Sequence, residues 1–204
     1  MNKIKISPLC LIWGIFLIQF QGQFFLPLIC AVALHEMGHI LVAQTLKIKI
    51  KYFRLSMLGA RIETTDTLSY IDEFLFALGG PLLGFLGFAF TYSYALNTAN
   101  EPFVERFLLP FSIISLSLTV FNLIPLSTLD GGRMLFCLLC HLFSLPLALK
   151  IIHLTSFFIL FTFWIFSVYL VIKISIGLPM LVFCGIFFAK CFIFDSKNRG
   201  FESF

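Results

Sequence analysis

Apolar runs near the length of a bilayer crossing follow one another along this chain, at 24–46, 74–96, 107–126, 151–172 and 174–194, with a shorter one at 6–20. A helix needs about 20 such residues to cross the hydrocarbon core. Only 12% of the 204 residues are charged and 60% are hydrophobic, whereas globular domains carry about 25% charged residues. These features predict an all-α polytopic membrane protein with about six transmembrane helices. The piece 134–149 is shorter and interrupted by His141 and Pro146, so it reads as a partly embedded helix or an extension of a neighbour.

Lys3 and Lys5 precede the first apolar run, but Gln21-Gly22-Gln23 offers no small-residue cleavage site, so the segment reads as an anchor rather than a removable leader. With a cytosolic N-terminus and six spans, all of the 14 Lys and Arg except Arg106 and Lys173 fall on the cytosolic side, the bias that orients membrane proteins. The expectation is a multi-pass protein of the cell membrane with both termini and the 47–70 loop in the cytosol. The basic balance thus reports topology and gives no reason to invoke nucleic acid. The six cysteines sit in apolar surroundings, where a thiol behaves as a small hydrophobe, and no disulfide framework is implied. Cys137-Leu138-Leu139-Cys140-His141 matches the c-type haem attachment pattern. It lies in a helical-looking apolar segment on the cytosolic side, so that reading is set aside.

Within the 24–46 run stands His35-Glu36-Met37-Gly38-His39. Residues at i and i+4 share one helix face, so His35 and His39 can grip one zinc ion while Glu36 stands beside it as a general base. Eight residues of helix at 1.5 Å each put the metal about 12 Å below the cytosolic end at Lys47. An ionisable group inside a membrane is costly and marks function by its position. Glu63, Asp66, Asp72, Glu73, Glu101, Glu105, Asp195 and Glu202 read as solvated loop or tail charges, which leaves Glu36 and Asp130. Asp130 follows Asn122-Leu123-Ile124-Pro125, where the proline interrupts regular helix. The chain can fold back there and offer a carboxylate as third ligand, since irregular backbone at membrane depth is tolerated where it lines a water-filled cavity. Glu63 and Glu73 are the alternatives for that place.

The order HExxH at 35–39, then N-x2-P-x4-D-G as Asn122, Pro125, Asp130 and Gly131, resembles the site-2 protease family of intramembrane zinc metalloproteases. It is nearest to the sporulation branch, the stage IV sporulation protein FB type, in its compact six-span layout and its Leu-Asp-Gly-Gly at 129–132. The resemblance covers essentially the whole chain. It implies a Zn2+ cofactor held by His35, His39 and Asp130, Glu36 as catalytic base, and Asn122 supporting the substrate backbone or the oxyanion. It also implies a membrane-spanning or membrane-tethered protein substrate, in the sporulation branch a sigma-factor precursor, and restraint by membrane-protein inhibitors. Relatives often carry Gly-Pro followed three residues later by asparagine. Here Gly80-Pro81 is followed by Gly84, so no role of that asparagine transfers. No gap between spans accommodates a PDZ domain and no CBS domain follows the last span, so residues 1–204 are expected to form a single transmembrane metalloprotease domain.

Alternation in Ile48-Lys49-Ile50-Lys51-Tyr52-Phe53, with Gly59 ahead of Ala60-Arg61-Ile62-Glu63, predicts a small β-hairpin or re-entrant element after the second span. An exposed strand edge can hold an extended peptide by β-addition, and a topology anchor without substrate contact explains the same residues. Gly79-Gly80-Pro81 and Gly84-Gly87 suit either close helix approach or a movable gate. Two rival functions are a membrane metal transporter using the histidines and Asp130, and an inactive membrane scaffold. The transporter has no need of Glu36.

Overall fold

The computed structural model describes residues 3–6, 8–48, 50–56, 59–64, 68–98, 101–174, 184–186 and 188. Helix dominates, and among the described residues four helices are long and apolar enough to span a membrane: Phe24–Thr45, Tyr70–Asn97, Val104–Asn122 and Leu145–Lys173. Two compact units divide the chain, one of Met1–Thr67 with Leu75–Asn122, the other of Leu68–Phe74 with Leu123–Phe204.

In the first unit, strand β1 (Lys3–Ile6) leads into helix α1 (Pro8–Thr45). The apolar runs 6–20 and 24–46, expected as two spans, therefore share one continuous helix of 38 residues. The helix runs on through Gln21-Gly22-Gln23 and through Pro27, which leaves the Gln23 carbonyl without its helical donor but does not end the helix. The end of α1 is closed by a Schellman cap. Ile48 N–H donates to the Ala43 carbonyl at 2.8 Å and Lys47 N–H to the Gln44 carbonyl at 3.2 Å, with Lys47 itself at φ 55°. Ile48 packs against buried Ala43 and Phe76, which supplies the apolar contact that such caps carry. Strands β2 (Ile50–Ser56) and β3 (Gly59–Thr64) pair antiparallel with Tyr52 opposite Glu63 and Ser56 opposite Gly59, and β1 lies parallel on the other edge of β2.

Helix α2 (Tyr70–Asn97) begins at Ser69, which acts as its N-cap. Asp72 N–H donates to Ser69 Oγ at 3.1 Å, and that hydroxyl donates to Asp72 Oδ2 at 2.7 Å. The acids in this first turn suit the positive end of the helix dipole. At Gly79 and Gly80 α2 meets α1 backbone to backbone, against Gly38. A Cβ on Gly79 would come within 2.7 Å of both the Gly38 carbonyl oxygen and Val42, and one on Gly38 within 2.7 Å of the Gly79 carbonyl carbon. Of the two readings of the glycine cluster, the close approach is the one described here. A π-helical turn (Val104–Leu108) then leads into α3 (Leu109–Asn122), which packs on α1 and turns Ser115 and Thr119 inward.

In the second unit, residues 123–129 run irregularly around Pro125, and α4 (Asp130–Leu142) starts at Asp130. Gly131 and Gly132 are buried against that irregular segment: a Cβ on Gly131 would stand 2.8 Å from the Ile124 carbonyl oxygen, and one on Gly132 2.8 Å from Ser127 N. Ser127 N–H donates to Ser156 Oγ at 3.0 Å, tying the segment to α5 (Leu145–Ile174). The 134–149 piece thus divides between two elements, α4 and the first turn of α5, where Pro146 costs no hydrogen bond. Phe136 and Leu139 of α4 pack on Ala148 and Ile152 of α5. Most of the expected span 174–194 lies outside the described residues.

Glu73 departs from its expected place as a solvated loop charge. It is buried, and its Oε1 is 2.9 Å from Arg133 Nη2 on α4. Helix α2 starts at Tyr70, four residues before the apolar run, so its first turn carries Glu73 inward. Cys137 is buried, whereas His141, one turn further along the same face at the end of α4, is exposed.

Candidate metal centre

Helical spacing puts His35 and His39 on one face of α1, and both side chains are buried, at 3% and 5% exposure. Their rings meet edge to face with centroids 5.1 Å apart, and one ring nitrogen of each lies within 4.8 Å of the other. The His39 ring is held from α2. His39 Nδ1–H donates to the Phe76 carbonyl at 2.8 Å, and the buried Phe76 ring lies 5.3 Å from the imidazole. That bond fixes the tautomer and leaves Nε2 as the nitrogen with a lone pair.

The direction of both Nε2 atoms follows from Gly80. A methyl group there would stand 2.7 Å from His35 Nε2 and in contact with His39 Nε2 and Cε1. The two nitrogens thus converge on one face of α2, and glycine is the residue that leaves them room. Two tetrahedral zinc ligands at 2.0–2.1 Å need nitrogens about 3.3 Å apart, a separation inside the limit observed. This pair fits a zinc ion.

Glu36 follows His35 in the same helical turn and is half-buried. Asn122 is the last residue of α3, half-buried, and its Nδ2 donates to the Leu118 carbonyl at 3.0 Å. Asp130 belongs to the second unit, half-buried as the first residue of α4. Glu73, one alternative for the third ligand, is engaged by Arg133; Glu63 lies in β3, outside the residues whose side chains are described. Sequence reasoning does not identify Phe76, Gly80 or Thr119 as neighbours of the histidines. The one signal available is the Gly79-Gly80 doublet.

A model of peptidase family M50 matches residues 62–166, just over half of the 204 residues. The chain belongs to this family. Similar proteins to this M50 chain include a zinc metalloprotease of Methanocaldococcus jannaschii, 31% identical over 124 residues, which are 59% of this chain and 35% of that one. Another is stage IV sporulation protein FB of Bacillus subtilis, 29% identical over 140 residues, covering 67% of this chain and 47% of that one. The M50 chain therefore spans between about a third and a half of the length of these relatives. Its fold matches that of the site-2 protease from Methanocaldococcus jannaschii with a TM-score of 0.71, at 23% identity over 92% of this chain and 88% of that chain.

Proposed function

We propose that this M50 chain is an intramembrane zinc metalloendopeptidase that hydrolyses peptide bonds in or near the transmembrane segments of membrane-bound proteins. The observation that carries the reading is the convergence of two buried Nε2 atoms beside Gly80, on a helix apolar enough to cross a bilayer. A catalytic zinc commonly takes three protein ligands and keeps a fourth position open. Asp130 is proposed as the third, on the strength of its carboxylate chemistry and its place in Asn122-x2-Pro125-x4-Asp130-Gly131.

When bound, zinc polarises the scissile carbonyl and lowers the pKa of a coordinated water toward about 7. His35 and His39 contribute neutral Nε2 ligands, the latter oriented by the Phe76 carbonyl. Glu36 takes a proton from the attacking water as its oxygen adds to the carbonyl carbon. The same carboxyl then gives that proton to the amide nitrogen as the C–N bond breaks. Asn122 supports the substrate backbone or the oxyanion; one amide hydrogen is given to Leu118, and the other is the one that would serve.

The proposal extends to topology and partners. We infer one metalloprotease domain over residues 1–204 with 174–194 as a further span and the 47–70 loop in the cytosol, as the distribution of Lys and Arg supports. A substrate helix hides its peptide bonds in its own hydrogen bonds and must unwind first. The β2–β3 pair offers a strand edge that can receive the unwound segment. The similarity to stage IV sporulation protein FB supports a sporulation role; a sigma-factor precursor as substrate and membrane-protein inhibitors as regulators are proposed with it from the motif resemblance alone. Co-expression of a candidate substrate with wild type and with Glu36→Gln tests the mechanism. The variant is expected to retain zinc and to lose cleavage by about 10²–10⁴-fold. Equal cleavage overturns the reading, and metal flux unchanged by Glu36→Gln favours the transporter.

A further inference from the structure

The two candidate ligands are supported differently on the side away from the metal. His39 has a backbone carbonyl on its Nδ1. His35 Nδ1 looks instead toward Gly84 of α2 and Thr119 of α3: the point where a Cβ on Gly84 would stand is 3.7 Å from His35 Nδ1 and 2.6 Å from Thr119 Oγ1. Thr119 is 3% exposed and Ser115, one turn earlier on the same face, 1%. Among the described residues neither hydroxyl has a hydrogen-bond partner.

That is unusual within this chain. Thr91, Ser117 and Thr162 each turn their hydroxyl back to the carbonyl four residues earlier, at 2.7–2.8 Å. Thr119 could do the same with the Ser115 carbonyl and does not. A buried hydroxyl that forgoes the local bond needs another partner. A histidine that binds metal through Nε2 nearly always donates its other N–H to a neighbouring group.

We propose that Thr119 is a positioning residue for the metal. Its hydroxyl, through one buried water that Ser115 Oγ also contacts, accepts the Nδ1–H of His35 and so fixes Nε2 as the ligating nitrogen. Gly84 supplies the space for that water, which needs two to four polar partners to be held. The inference rests on the zinc reading above.

Zinc affinity of the full-length protein in detergent, measured by competition with a chelator, tests it with Thr119→Val and Thr119→Ser. Valine keeps the shape and removes the hydroxyl, and is expected to weaken zinc about ten- to a hundredfold, while serine keeps the wild-type affinity. The unfolding temperature of metal-free Thr119→Val stays at or above wild type, because a buried hydroxyl with no protein partner is removed. Wild-type affinity in Thr119→Val overturns the proposal, as does an equal loss in Thr119→Ser, which would assign the effect to the methyl group. Should Thr119→Val fail to fold, Thr119→Ala is read instead, since it also removes the hydroxyl: a comparable loss supports the proposal, and undiminished affinity overturns it. A wild-type protein that binds zinc no better than His35→Ala overturns the metal reading itself, a result distinct from these.

Discussion

At the scale of single residues, much of the candidate metal site consists of groups that would not touch the metal. Gly80 is the sharpest case, because any side chain there collides with both imidazoles. Gly80→Ala is expected to abolish stoichiometric zinc binding while the helices remain, which metal analysis beside far-ultraviolet circular dichroism checks. The histidine pair itself is legible in the sequence, since a spacing of four residues in a helix fixes a shared face whatever the tertiary structure. The Phe76 carbonyl, 37 residues away, is not. Its partnership depends on where α2 docks, and no local pattern encodes that.

Glu73 and Cys137 carry the same lesson. Charge next to an apolar run reads as solvated, yet one extra helical turn suffices to bury Glu73 against Arg133. Beside that pair, burial foremost, with the Glu73 carboxylate adding to it against the opposing pull of Arg133, pushes the Cys137 thiol up to about 12. The folded state therefore holds the thiol proton more tightly than the unfolded chain. The resulting stabilisation is present below the ordinary thiol value of 9.0 and is lost as pH rises from there toward about 12. Accordingly, Cys137 should resist maleimide at pH 8 in the folded protein, and stability should fall more between pH 7 and pH 10 in wild type than in Cys137→Ala, as paired denaturant titrations would show.

At the scale of elements, the decisive junction is the one between the irregular 123–129 segment and α4. Asp130 heads that helix because Gly131 and Gly132 allow the preceding backbone to fold directly onto its first turn. Gly132→Ala would drive a methyl group into the Leu126 carbonyl and against Ser127 N. A destabilisation of about 1–3 kcal/mol, typical of overpacking, is expected, together with weakened zinc binding through the displaced Asp130; a lowered melting temperature with unchanged zinc affinity would remove Asp130 from the ligand set. Pro125 announces the interruption in the sequence, and the glycine doublet announces a close contact. The identity of the contacting backbone, and the division of 134–149 between α4 and α5, depend on how the chain refolds after the proline. Periodicity carries no such information.

At the scale of the whole molecule, hydropathy is the most readable property. The apolar runs 74–96, 107–126 and 151–172 each correspond to a spanning-length helix, because a backbone in hydrocarbon has to satisfy its own hydrogen bonds. The outward side of α5, with Phe158, Trp164, Ile165, Phe166, Tyr169 and Ile172 exposed, is suited to lipid contact. The protein is expected to remain in the membrane pellet after an alkaline carbonate wash and to be released by detergent, and recovery in the carbonate supernatant would contradict the spanning assignment. Runs at 6–20 and 24–46 are harder to separate by hydropathy, because a polar Gln-Gly-Gln between them is compatible with either a turn or a continuing helix.

The meeting of α1 and α2 at Gly38 and Gly79 has a mechanical consequence. Where Gly38 and Gly79 touch, no side chain lies between the two backbones to compress, rotate or exchange rotamers. The pair is stiff, and the histidines and the Phe76 carbonyl that orients one of them move as one body. If the protein admits a polypeptide as proposed, the displacement that does so has its hinge outside this contact, so that the candidate metal ligands keep their arrangement while the entrance changes.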